Sequence, residues 1–291
     1  MMTMLTTVIG SYPLKYDELG RDAILQSVDD QVRAGVDLVS DGQTRYDMIE
    51  YFARAIDGYS FDGASAIVDK IGRGHADMFV EDFRVAKDVY PRVKGIVTGP
   101  VTLVFSSRIK AQYGGYRDEN VYLDTADALL DIATALEAEG AEWIQIDEPF
   151  LSVGAPMDIA QMAVEHIARG IRVPVALHVC GTVGGILPHL VGWSGVTLLS
   201  HGFMGDKNDD VLESEDLKSS DKMLGLGCVD TKSPAIESKE AVVALIEKAA
   251  QRLTADRIVV HPDCGLRMMP HEAAFKKLEV MVAAARECDT I

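Results

Sequence analysis

Long apolar runs are missing from this chain. Across its 291 residues there is no stretch of about 18 uncharged apolar residues, so no membrane span is expected. Basic residues are outnumbered: 28 Lys and Arg stand against 45 Asp and Glu, a formal net charge of −17. A surface of that sign repels a phosphate backbone, so no nucleic-acid partner is expected. The acidity selects no substrate. Cysteine is sparse, with four residues at wide spacing, which does not fit a disulfide framework. The N-terminal stretch Met1 to Val8 lacks the basic region and cleavage site of a secretion signal. A cytoplasmic protein whose thiols are kept for metal binding or catalysis is therefore expected. No Gly-x-Gly-x-x-Gly opens a helix after the first apolar run, so dinucleotide binding is not indicated. Short repeats are absent as well.

What is present is a rhythm. A short apolar run followed by a charged amphipathic segment recurs about eight times. The runs are 6–13, 36–42, 95–100, 143–149, 173–181, 195–201, 223–230 and 258–264. Helical spacing follows them at 22–34, 47–56, 122–139, 158–169, near Leu187, 209–217, 239–253 and 270–287. Eight strands alternating with helices predict an α/β fold, a (β/α)8 TIM barrel, as one unit over 1–291. Residues 58–94 fit the rhythm poorly and are expected to form an inserted lid after the second strand.

A barrel gathers the carboxyl ends of its strands around one pocket. In this chain those ends carry Ser11, Asp41, Gln43, Asp147, Glu148, His178, Cys180, His201, Asp230, Lys232, Asp263 and Cys264. In an extended strand residues i and i+2 share a face. His178-x-Cys180 thus sets an imidazole beside a thiol, and Cys264-Gly265 supplies a second thiol from another strand end. A single cysteine would be read as a small core residue, as Cys228 and Cys288 are here. The pair with histidine reads as a zinc site with an open position. Two thiolates cancel the metal's charge, so a substrate thiol bound there stays an anionic nucleophile. Hydrolytic zinc sites use histidine and carboxylate instead. This ligand set therefore points to alkyl transfer onto sulfur. Asp147 is placed to take a substrate ammonium group, and the Ile9-Gly10-Ser11 turn offers backbone N–H groups to a carboxylate. Together they indicate an amino-acid substrate. His75, His166, His189, His261 and His271 are read as surface or structural residues.

Several segments, in order along nearly the whole chain, resemble the catalytic barrel of the cobalamin-independent methionine synthase family. They are 7–13, Ser40-Asp-Gly-Gln43, 47–52, 98–102, 144–149, His178-Val-Cys-Gly181, Asp230-Thr-Lys-Ser233 and 261–266. The length is similar to that of the family's short archaeal forms, which resemble methylcobalamin:homocysteine methyltransferases. The resemblance implies zinc on His178, Cys180 and Cys264, and homocysteine contacts from Ile9, Gly10, Ser11 and Asp147. Gln43 stands where long relatives have the glutamate that binds the substrate amino group, and Glu148 is taken with it as a substrate contact. Lys232 stands where they have a histidine, and is taken as catalytic beside Asp147. The family's fourth zinc ligand is a glutamate after strand six, where this chain has Gly202. His201 is the leading stand-in, with Glu148, another group or a three-ligand site as alternatives. Phe105-Ser106 replaces the folate-stacking tryptophan, which moves the expected methyl donor to methylcobalamin or another methylcorrinoid, free or carried by a corrinoid protein. The expected activity is zinc-dependent methylation of homocysteine to methionine. A different thiol such as coenzyme M, and a non-catalytic zinc- or corrinoid-binding paralogue, are the other readings.

Overall fold

The computed structural model describes residues 4–14, 20–205 and 207–288. Seven of the expected runs form one sheet with every neighbouring pair parallel. Its order is Leu5–Thr6, Ile258–His261, Met223–Gly227, Val196–Gly202, Val175–His178, Ile144–Asp147, Gly95–Thr98. The remaining run, 36–42, closes the ring. Leu38 bridges to Thr7 on one side and Val39 bridges to Val93 on the other. Leu38 N–H donates to Thr6 O at 3.1 Å, and Lys94 N–H donates to Val39 O at 3.0 Å. The result is the expected α/β, TIM-barrel-like fold.

The second strand is far shorter than 36–42, and side chains explain why. Asp37 turns one carboxylate oxygen to Thr6, accepting from its N–H at 2.9 Å and its hydroxyl at 2.8 Å, and the other to Arg286 at 2.6 Å. Beyond Val39, Ser40 leaves the ladder: its N–H donates to Gln31 Oε1 at 2.9 Å and its hydroxyl to Gly10 O at 2.9 Å. The chain thus turns inward at the pocket rim.

Alternation along the strands divides two cores. Residues pointing outward, among them Ile146, Leu177, Leu199, Leu226 and Val260, are buried against the helices. Each such side chain contributes about 1.5–3 kcal/mol relative to exposure. Inward, Ala176, Leu198 and Val259 form a small apolar floor with Trp143 and Met223. Two residues further along the same strands, on the same face, stand His178, Ser200 and His261. On these three strands the barrel interior changes from apolar to polar at the level where the site begins.

The helices follow the predicted spacing. Glu119–Ala138 buries Val121, Leu129, Ile132 and Leu136, and Asp118 caps it by accepting from Asn120 N–H at 3.0 Å. The stretch expected as one helix at 209–217 is two, Asp209–Leu212 and Glu215–Ser219, because Ser214 caps the second. The proposed lid also divides. Asp77–Val89 is an outer-ring helix packed on Arg21–Arg33 and Glu119–Ala138. Tyr59–Phe61 and Ser65–Ile67 form a hairpin joined in parallel by Ser107–Ile109. Tyr59 anchors it with a 2.9 Å hydrogen bond between its hydroxyl and that of Thr125. The residues lining the central cavity come from outside 58–94.

Candidate metal and thiol site

His178 ends the fifth strand, and Val179 carries the chain to Cys180. His178 Nε2 lies 2.9 Å from Cys180 Sγ, which lies 2.7 Å from Cys264 Sγ. Among the described residues these three form the one group of His, Cys, Asp or Glu side chains spaced to hold a metal, all ligand atoms within 4.8 Å of one another. Asp263 sets Cys264 in place. Its carboxylate accepts from the N–H groups of Phe203 at 3.0 Å and Met204 at 3.2 Å, and pairs with Lys207 at 3.4 Å. The first-strand loop packs directly on the next residue. A Cβ on Gly265 would sit 2.3 Å from Ser11 Oγ, and Leu266 N–H donates to Ser11 O at 2.8 Å.

The two thiols share their charge. Hydrogen bonding from Cys180 pushes Cys264 well below the usual thiol range, despite burial, while that bond and burial push Cys180 far up. Such a pair prefers one proton between them; a dication would release the second. Cys228 and Cys288 are buried elsewhere, as expected of core residues.

The fourth position lacks a protein side chain in the convergent group. His201 is not part of it. Neighbours on a strand face opposite ways, and Ser200 faces His178, with its Oγ 2.9 Å from Nδ1. His201 therefore points away, its Nδ1 3.2 Å from Val179 O and its Nε2 buried without a hydrogen-bond partner among the described residues. The expectation of His201 as stand-in fails on that parity. The space where a side chain at 202 would begin is taken: a Cβ on Gly202 would lie 2.9 Å from Asp263 Cγ. Three protein ligands with an open coordination site match the pattern of catalytic zinc.

Ile9, Ser11, Gln43 and Asp147 line the same cavity as the three ligands, a space of about 220 Å³. Burial pushes Asp147 up to about 6, opposed by His178, Gln145 and Lys94. Gln43 takes a left-handed backbone, φ 44°, which costs strain in a non-glycine residue. Arg267 holds it there by donating to the carbonyls of Gln43 and Tyr46. Gly10 contributes through its lack of a side chain, since a Cβ would stand 2.8 Å from Gln43 Oε1.

Two expected site residues lie elsewhere. Glu148 is fully buried behind the pocket. It accepts from the N–H groups of Val101 and Thr102, each at 2.8 Å, and from the Thr102 hydroxyl at 2.7 Å. It caps helix Pro100–Phe105, and burial pushes it up to about 7 against those donors. Lys232 is exposed on the loop after the seventh strand and lines a separate hollow with Asp230 and Lys207.

Four participants escaped the sequence reading. Lys94 is buried in the barrel, where burial pushes it down to about 7. Gln145, Ser200 and Arg267 join it. His261, read as surface or structural, is buried one hydrogen bond from Ser200 at 2.9 Å, and burial pushes it down to about 3. A polar residue inside an otherwise apolar strand was the available signal for Gln145 and Ser200.

The family model described as "Cobalamin-independent synthase, Catalytic domain" matches residues 14–287. The methionine synthase of Methanothermobacter marburgensis is 40% identical over 98% of this chain and 100% of that protein. That of Methanocaldococcus jannaschii is 38% identical over 97% and 99%. Among solved structures, the B12-independent methionine synthase of Shewanella sp. W3-18-1 superposes with a TM-score of 0.86. It covers 99% of this chain and 98% of that one at 23% identity. A match of this extent to a family described as cobalamin-independent overturns the expected methylcobalamin or methylcorrinoid donor, and leaves the corrinoid-protein partner without support. The inference from Phe105 fails for a local reason. Phe105 is stacked between Tyr116 at 5.7 Å and Phe150 at 5.9 Å, both at 18°, so it packs the rim and says nothing about a donor.

Proposed function

The chain belongs to the family of cobalamin-independent synthase catalytic domains, and from that membership we propose that it is a zinc-dependent methyltransferase converting homocysteine to methionine. The observation that carries this reading is the convergence of His178 Nε2, Cys180 Sγ and Cys264 Sγ at 2.7–2.9 Å beside Asp147 in one small cavity. Nitrogen with two thiolates is a donor set that fits zinc. Zinc bound there would hold the homocysteine sulfur as a thiolate at neutral pH.

The protein's own groups do the rest. Asp147, ionised above about pH 6, accepts the substrate ammonium group. The Ile9-Gly10-Ser11 turn offers N–H groups to the substrate carboxylate, and the Gln43 amide faces the same space. A cavity of about 220 Å³ suits one small amino acid, and fixing both its ends aims the sulfur at the three ligands. Orientation of this kind replaces a bimolecular search with a near-unimolecular step. The sulfur then forms a bond to the donor's methyl carbon as the donor's own bond to that carbon breaks. The donor is one other than a corrinoid. A cytoplasmic location fits two unprotected thiols at 2.7 Å, which an oxidising compartment would join.

The test is metal content and homocysteine binding by calorimetry. The expected result is one zinc per chain, lost in Cys180→Ser and Cys264→Ser, with homocysteine bound by the zinc form and coenzyme M bound far more weakly. Homocysteine binding that ignores zinc overturns the reading.

A further inference from the structure

We propose that Ser200 and His261 are positioning residues that lock His178 in the tautomer whose Nε2 lone pair faces Cys180 and Cys264. The inference rests on the reading that those three residues hold zinc. The geometry fixes each proton in turn. Pro262 O is a carbonyl and only accepts. His261 Nδ1 lies 2.7 Å from it, so that nitrogen carries the hydrogen. A neutral imidazole has one N–H, so His261 Nε2 is an acceptor. Ser200 Oγ lies 2.9 Å from His261 Nε2 and must donate its single hydrogen there. Only lone pairs then remain on Ser200 for His178 Nδ1, also 2.9 Å away. His178 therefore donates from Nδ1, so the neutral ring keeps its lone pair on Nε2, 2.9 Å from Cys180 Sγ. A chain beginning at a fixed carbonyl ends at a ligand-ready nitrogen.

The barrel makes room for this chain. Ser200 and His261 sit on the sixth and eighth strands, with the seventh between them. The intervening position is Gly225, where a Cβ would lie 2.6 Å from His261 Nε2 and 2.9 Å from Ser200 Cα. Any other residue there would push the two apart. Ser200, His178 and His261 are 1–2% exposed, so the relay lies away from bulk water. Outer partners of a metal-bound histidine raise its basicity and fix its ring, and losing one typically costs about 10–100-fold in metal affinity.

The experiment is zinc competition against a chromogenic chelator with the full-length chain. Wild type, His178→Ala, Ser200→Ala, Ser200→Thr and His261→Phe are compared, with circular dichroism to check folding. Expected is a loss of zinc affinity of about 10–100-fold in Ser200→Ala and His261→Phe, rescue in Ser200→Thr, and near-complete loss in His178→Ala. Nitrogen-15 NMR of the zinc-free wild type at alkaline pH reads the tautomer without any variant. His178 should carry its proton on Nδ1, and a population on Nε2 overturns the relay. A wild type that binds zinc, loses it in His178→Ala and keeps it undiminished in Ser200→Ala and His261→Phe also overturns it. A wild type that binds no zinc, or a His178→Ala that binds it as tightly, overturns the zinc reading instead.

Discussion

Lys94 and Asp147 are joined through a single amide. Lys94 Nζ donates to Gln145 Oε1 at 2.5 Å, and Gln145 Nε2 donates to Asp147 Oδ1 at 2.7 Å. The same Nε2 donates to Ile9 O at 2.7 Å. The buried amine donates in either protonation state and so fixes which end of the amide faces up, and the amide ties the ammonium-binding carboxylate to the turn that meets the substrate carboxylate. Lys94→Met should raise KM for homocysteine about tenfold, near 1.4 kcal/mol, with a smaller effect on kcat. Steady-state kinetics on the zinc-loaded protein check this, and a KM equal to wild type would refute the linkage.

Asp147 gives a pH dependence. Burial holds it above its ordinary value, near 6. The form that accepts an ammonium group is the ionised one, present above that value and lost below it. In excess zinc, kcat/KM for homocysteine should fall as pH drops through about 6 and be level well above it. Asp147→Asn should weaken binding and remove this acid limb. A limb that survives in Asp147→Asn assigns it to another group.

His201 faces away from the ligands. His201→Ala should therefore leave zinc affinity within about twofold of wild type, a change under about 0.5 kcal/mol, in the same chelator competition. Gly202→Glu should lower the thermal midpoint, because Asp263 occupies the space at 2.9 Å and overpacking a filled site costs about 1–3 kcal/mol. Release of zinc by His201→Ala would restore it as a ligand.

Glu148 carries a structural load. Glu148→Ala leaves the N–H groups of Val101 and Thr102 without an acceptor inside the protein. Orphaned buried donors cost about 1–3 kcal/mol each, so a loss of roughly 2–6 kcal/mol is expected in denaturant unfolding. A stable Glu148→Ala with impaired homocysteine binding would instead make it a substrate contact.

The barrel was legible because each apolar run is short and each is followed by a helical stripe. The ligand triad was legible because a period of two places His178 and Cys180 together. The same parity decides two cases in which nearness in sequence misled. Asp147 and Glu148 are neighbours, so only one enters the pocket. Ser200 and His201 are neighbours, and Ser200 is the one that meets His178. Lys94 was hidden because a lysine at the start of a strand reads as solvated until the fold brings Val8 O and Gln145 Oε1 to it. Lys232 was misplaced because periodicity does not say where a loop goes. The donor was misread from Phe105, whose packing between two rings is a tertiary fact.

The central claim is that His178, Cys180 and Cys264 hold a zinc whose open position takes the homocysteine sulfur. Zinc X-ray absorption on the purified protein, before and after adding homocysteine, tests it most directly. One nitrogen and two sulfur scatterers from the protein are expected, with a third sulfur on adding homocysteine and one sulfur fewer in Cys264→Ser. A shell whose sulfur count does not change when homocysteine is added would contradict the account.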